Sequence, residues 1–119
     1  MTIKLKKEER ESTIQGAVCK YLEDKGYLFW RANNIPAISY GPSGPRMRKL
    51  PKWTPRGLPD INMVYKGQYI GIEVKSFGNW LNEAQKYMAL KIKEAGGKFI
   101  CVKSIDELKD SLDNIGIPQ

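Results

Sequence analysis

Asp60, Glu73 and Lys75 have the residue types and the spacing to handle a phosphate group. They lie in the stretch 57–75, GLPDINMVYKGQYIGIEVK, which reads as a β-hairpin: two short apolar runs, 61–65 and 68–74, flank Lys66-Gly67, a dipeptide suited to a tight two-residue turn. If Tyr65 faces Gln68 across that turn, the same register sets Asp60 opposite Glu73. Side chains alternate along a strand, so Asp60, Glu73 and Lys75 share one face and Ile61, Met63, Ile70, Ile72 and Val74 share the other. Facing Cβ atoms on a hairpin are roughly 4.5–5.5 Å apart, and like charges placed there destabilise the pair. A hard divalent cation would relieve the repulsion, since Mg²⁺ binds through one or two carboxylates and leaves positions for water and phosphate oxygens. An ammonium beside it could hold an attacking water or face the charge that develops on phosphorus. Taken alone, Glu73 and Lys75 would be an ordinary same-face ion pair worth about 0–1 kcal/mol. Pro59-Asp60 at the mouth of the partner strand is what lifts the pattern above that reading.

Pro59-Asp60, twelve residues, then Glu73-Val74-Lys75 resembles the PD-(D/E)xK nuclease signature. The wider pattern, R-G-x-P-D followed by I-E-V-K and N-E-A-Q, is similar to the VRR-NUC branch of that superfamily, which includes stand-alone virus-type proteins of about this length. The resemblance runs from Glu11 to about Val102. It implies a restriction-endonuclease-like α/β fold and a Mg²⁺-dependent endodeoxyribonuclease, with Mn²⁺ able to substitute. Asp60, Glu73 and the carbonyl of Val74 would be metal ligands, and Lys75 would position water and stabilise the transition state. Glu11, from the first helix, would complete the metal site, with Glu8 or Glu9 as alternative equivalents. Gln85 would join the catalytic group through hydrogen bonds to water or phosphate. The stand-alone proteins resemble four-way (Holliday) junction resolvases, which need two symmetric cuts and hence a homodimer. A monomeric flap or nicking nuclease is the alternative. A non-catalytic nucleic-acid-binding module on the same fold, and an RNA-directed enzyme or partner-recruiting subunit, are the readings from other classes. The resemblance places the protein in the cytoplasm of a bacterial or phage-infected cell.

Composition sets bounds on all of these. A chain of 119 residues with 41% apolar content supports one domain, 1–119, with one core. A net charge of +7 favours a polyanionic partner or, second to that, an acidic membrane surface. No apolar run has the length or flanks of a membrane span or signal peptide. The absence of histidine removes His-based acid–base catalysis, His-containing triads and most zinc sites, so any catalysis must run on carboxylates, lysine and metal. Cys19 and Cys101 have no metal-ligand or disulfide-framework spacing and read as small buried hydrophobes.

The surrounding elements follow from periodicity. Ile14, Ala17, Val18, Tyr21 and Leu22 predict a first helix over 8–25, stopped by Gly26. Glu11 falls on or beside its buried stripe, where it either compensates the helix dipole or serves a site. The aromatic-rich run 27–32 predicts a strand beside the hairpin. From 33 to 58 the chain reads as a long loop with five prolines and three glycines. Its Arg46, Arg48, Lys49, Lys52 and Arg56, interleaved with Tyr40 and Trp53, are candidate phosphate and base contacts. Asn82 should cap a helix over 83–95 with Leu81, Ala84, Met88, Ile92 and Ala95 as its buried stripe. The run 98–102 predicts a buried strand, and Ser104 with Glu107 a capping box for a last helix. The expected order is αβββαβα, a mixed sheet flanked by helices.

Overall fold

The computed structural model describes the backbone of residues 7–32, 38–41, 44–47 and 52–119, and side chains within 10–32 and 52–119. Helix α1 spans Lys7–Lys25, and strand β1 (Leu28–Arg31) follows it. Strands β2 (Ile38–Gly41) and β3 (Gly44–Met47) pair with each other antiparallel. Strands β4 (Ile61–Tyr65) and β5 (Gln68–Val74) form the central hairpin. Helix α2 (Glu83–Glu94), strand β6 (Lys98–Val102) and helix α3 (Ile105–Asn114) complete the chain.

The main sheet has the order β1-β4-β5-β6, with β1 and β5 antiparallel to β4 and β6 parallel to β5. It is a mixed sheet with helices against it, the α/β class expected. One expectation is corrected: the stretch read as a plain loop carries the β2–β3 hairpin, so the order is αβββββαβα. A two-stranded ribbon tolerates Pro45 because each of its strands needs hydrogen bonds along one side only.

The hairpin register is the one that alternation and turn length require. Tyr65 pairs with Gln68 and Ile61 with Ile72, and the turn residues Lys66 and Gly67 have φ of 47° and 80°, the left-handed pair of a two-residue hairpin loop. One face of the sheet is fully apolar. Ile61, Met63, Ile70, Ile72, Val74, Ile100 and Val102 pack there against Val18 and Leu22 of α1 and Leu108 and Leu112 of α3. This is the core. Helix α2 lies on the side of the opposite face, the one bearing Asn62, Gly71 and Glu73, and reaches it with Gln85, which bonds to Glu73.

Helix starts follow their caps. Asn82 and Gln85 form a reciprocal capping box on α2, with both bonds at 2.9 Å. At α3, Ser104 accepts from the Glu107 N–H, but the Glu107 carboxylate returns to the N–H of Lys103, one residue earlier than in the standard box. Leu81, Ala84, Met88 and Ile92 are half-buried on the inner side of α2 as expected, with Ala89 the buried residue among them, while Ala95 is exposed at the C-cap. Cys19 is half-buried and Cys101 exposed, contrary to the reading of both as buried; β6 is an edge strand, and its alternation turns Cys101 away from the core side of Ile100 and Val102. No helix among the described residues is long and apolar enough to cross a membrane.

Two glycines carry contrasting structural weight. Gly57 has φ of 81°, and a Cβ there would lie 2.3 Å from the Ala84 carbonyl oxygen, so the loop can seat on the start of α2 only without a side chain. Gly16, inside α1, has nothing within 4 Å of an added Cβ. Gly57→Ala is expected to destabilise by about 2 kcal/mol or more, whereas Gly16→Ala should stabilise by about 0.5–1 kcal/mol. Urea unfolding of the two variants beside wild type checks both signs.

Candidate active site

The site lies at the end of β4 and β5 away from their turn, and each of its residues is fixed by a separate backbone constraint. Pro59 seats against Gly71 of β5, where an added Cβ would fall 2.6 Å from the proline ring. Asp60 follows directly. Its carbonyl accepts from the Ala32 N–H beyond β1 at 2.8 Å, and its Oδ2 accepts from the Val74 N–H on β5 at 2.9 Å. The aspartate is thus tied to the strands on both sides of it.

Glu73 faces the same side from β5 and is 2% exposed. Its Oε1 accepts from Gln85 Nε2 at 3.2 Å. The amide orientation of Gln85 is dictated by the cap: Oε1 is occupied by the Asn82 N–H, so Nε2 is the atom left to face Glu73. Glu73 Oε2 is buried and has no hydrogen-bond partner. Burial first, then the hydrogen bond that only a protonated Glu73 can make to Asp60 and the repulsion between the two when both are ionised, raise the Glu73 carboxyl to about 9. Glu11 pushes the same way and Lys75 opposes it. A proton shared with Asp60 would satisfy Oε2, and so would a cation; two bare carboxylates would not.

Lys75 leaves the sheet from the same edge. Its N–H donates to the Val102 carbonyl at 3.0 Å, which continues the β5–β6 pairing and keeps Lys75 in step with Glu73. The Lys75 side chain forms no ion pair with a described residue, and its charge bears on Glu73.

Glu11 reaches this end of the sheet from α1, as its place on the inner stripe implies. Its Oε1 accepts from Asn79 Nδ2 at 2.8 Å and lies 3.4 and 3.5 Å from the N and Oγ of Ser76. Among the described residues no group of three or more Asp, Glu, His or Cys side chains is gathered closely enough to hold a metal ion. The donor set that fits a hard cation is therefore the Asp60–Glu73 pair, with an orphaned buried carboxylate oxygen as the fitting observation.

The structure brings Asp60, Glu73, Gln85, Lys75 and Glu11 to one end of the sheet. Of the basic and aromatic candidates, Lys52, Trp53 and Arg56 are exposed on the approach to Pro59, with Lys52 Nζ 4.9 Å from the Trp53 ring centroid. Arg48 and Lys49 lie outside the described residues, and of Arg46 only the backbone is described, paired with Ser39. Gly57, Gly71, Ser76 and Asn79 are positioning residues that sequence reasoning missed. The glycine of R-G-x-P-D offered a signal for Gly57; the others had none. No model of a known protein family matches the chain, and no curated protein matches it.

The raised Glu73 carboxyl gives a signed pH dependence. Its proton is retained in the native state up to about 9 and lost in the unfolded chain near the ordinary 4.5. The metal-free protein should therefore lose stability steadily as pH rises across that window. Glu73→Gln removes the titrating group, so in EDTA its Tm should exceed that of wild type by a margin that widens toward high pH. Thermal unfolding of both proteins across the window measures the difference in slope.

Proposed function

We propose that this protein is a metal-dependent, structure-selective DNA endonuclease with a restriction-endonuclease-like core, similar to the VRR-NUC branch of the PD-(D/E)xK superfamily. The observation that carries the reading is a buried Glu73 with an unpartnered oxygen set against Asp60, with Lys75 beside them. A purely structural hairpin has no use for a buried carboxylate set opposite a second, half-buried one. Like-charge pairs that split or raise carboxyl pKa values are a mark of functional sites.

Asp60 and Glu73 would hold Mg²⁺ or Mn²⁺, with the Val74 carbonyl as a further ligand. Bound there, the ion would make hydroxide accessible near neutral pH and neutralise phosphate charge. Gln85 holds the Glu73 carboxylate in place through its Nε2. The Val74 N–H does the same for Asp60. Glu11 adds negative charge beside the pair. Lys75 would orient the attacking water and face the charge that builds on the non-bridging oxygens as the bond to the leaving oxygen breaks. Arg46, Arg48, Lys49, Lys52 and Arg56 would supply backbone contacts on the approach to the site, in keeping with the net charge of +7.

A single such site makes a single cut. Resolution of a four-way junction therefore requires two chains, and a C₂ homodimer is the simplest arrangement that places two sites symmetrically. The expected partner is branched DNA, with the junction cleaved in preference to linear duplex.

Cleavage should require Mg²⁺ or Mn²⁺ and stop in EDTA, and Ca²⁺ should support binding with little cutting. Lys75→Ala should lower the cleavage rate by a factor of about 10² or more while DNA binding persists. A Lys75→Ala protein that cuts as fast as wild type would overturn the assignment. Replacing Arg46, Arg48 and Lys49 together should reduce the salt dependence of DNA binding, each lost phosphate contact lowering the slope of log Kd against log salt by about 0.9. A panel of junction, flap, splayed and linear substrates, read beside sedimentation, tests the preference: a monomer that cuts linear duplex as fast as junction removes the resolvase.

A further inference from the structure

Immediately after Lys75 the chain makes a turn whose construction the cleavage chemistry does not account for. The Asn79 N–H donates to the Ser76 carbonyl at 3.0 Å, and Gly78, with φ of 85°, takes the position of the turn that requires a left-handed residue. The base of the turn is buried: Ser76 is 1% and Asn79 8% exposed. Glu11 Oε1 accepts from Asn79 Nδ2 at 2.8 Å with Ser76 N and Oγ close by, and Asn79 Nδ2 also donates to Ser76 Oγ. A carboxylate from α1 thus fastens a turn 65–68 residues away in the chain.

What the fastened turn presents is aromatic. Phe77 is 86% and Trp80 77% exposed. Polar groups are buried at the base of this turn while two large apolar rings stand in water, the reverse of ordinary burial. Such an arrangement has a use when the rings meet a flat apolar surface. Their neighbours are cationic: Lys75 precedes the turn, and Lys103 Nζ sits 4.4 Å from the Trp80 ring centroid. Glu107, on the helix that follows Lys103, is turned back onto the Lys103 N–H at 2.7 Å. Rings flanked by lysine suit a nucleobase with its phosphate, the combination used to hold unstacked strands. A second copy of the same face would bring lysine against lysine.

We propose that Phe77 and Trp80, held out by the turn that Glu11 fastens, form a stacking platform for base faces left uncovered at a branch point or in a single strand next to the cleavage site. The proposal rests on the nucleic-acid reading above and supplies its preference for branched substrates: interior base pairs of a linear duplex are already stacked on their neighbours and offer no free face. Glu11 acts here as a positioning residue, through Ser76 and Asn79.

The test is binding measured in EDTA, where cleavage and any metal-ligand role of Glu11 are silent. The probes are linear duplex, a flap and a four-way junction, each with 2-aminopurine at the branch or the matching duplex position. Wild type should bind the branched probes more tightly than duplex and quench their 2-aminopurine by stacking. Phe77→Ala and Trp80→Ala should each weaken branched binding roughly 5- to 150-fold, the range for one stacked base, and abolish the quench, with duplex binding within about 2-fold. Phe77→Tyr and Trp80→Phe should restore both. Glu11→Ala, which removes the oxygen that accepts from Asn79 and Ser76, should lose the quench as the ring variants do. Both rings are exposed, so the alanine variants should fold, and thermal unfolding verifies that. Branched binding and quench unchanged in Phe77→Ala and Trp80→Ala overturn the platform and leave the nuclease reading intact. Absence of binding to any probe by wild type overturns both. Alanine variants that turn a dimer into monomers, with per-chain DNA binding retained, assign the rings to contact between copies and overturn the platform.

Discussion

Burying Glu73 opposite Asp60 is the constraint on which the rest of the structure depends. A carboxylate removed from water as fully as Glu73 loses several kcal/mol of hydration unless something replaces it. Asp60 makes the loss greater, and the fold does nothing to move the two apart. Pro59 is seated on Gly71, the Asp60 carbonyl is bound by Ala32 and its Oδ2 by the Val74 N–H, so the aspartate has little freedom to swing away. On the other side, Gln85 commits its single acceptor to the helix cap and so must present its donor to Glu73. The result is a pair of carboxyls held together by elements that gain nothing from their repulsion. A proton on Glu73 satisfies them up to about pH 9, and a divalent cation would take its place.

The same end of the sheet then serves two purposes through one strand. Strand β5 delivers Glu73 and Val74 in extended conformation, and the bond from the Lys75 N–H to the Val102 carbonyl carries the pairing one residue further. The next residue starts the turn that Glu11 fastens. Helix α1 thereby sets the position of the loop beside the chemistry. Its remaining inner side chains, Val18 and Leu22, belong to the core. Displacing α1 would disturb core, site and turn together.

Much of this was legible in the chain. The two-residue Lys66-Gly67 turn and strict alternation determine the hairpin register, and with it the meeting of Asp60 and Glu73, because both rules act over a few residues. Asn82 and Ser104 announce their helices for the same reason. What escaped depends on long-range contact. Ser76 and Asn79 as partners of Glu11, and Gly71 as the seat of Pro59, involve pairs that no local pattern links. Ala95 is exposed because it falls at the C-cap of α2, past the last full turn, a boundary that apolar periodicity does not mark. Cys101 follows the strand alternation, yet the edge position of β6 leaves it uncovered. The β2–β3 ribbon was hidden by a proline-rich composition that ordinarily marks irregular chain.

The central claim is that Asp60 and Glu73 trade a proton for a divalent cation, and calorimetry of Mn²⁺ binding near neutral pH tests it directly. Titrations in buffers of different ionisation enthalpy report the protons released per ion bound. With the Glu73 carboxyl raised to about 9, the wild-type protein should release close to one proton per bound ion. Glu73→Gln should release none and bind Mn²⁺ far more weakly. Tight binding with no proton release, or binding that Glu73→Gln leaves unchanged, would contradict the account.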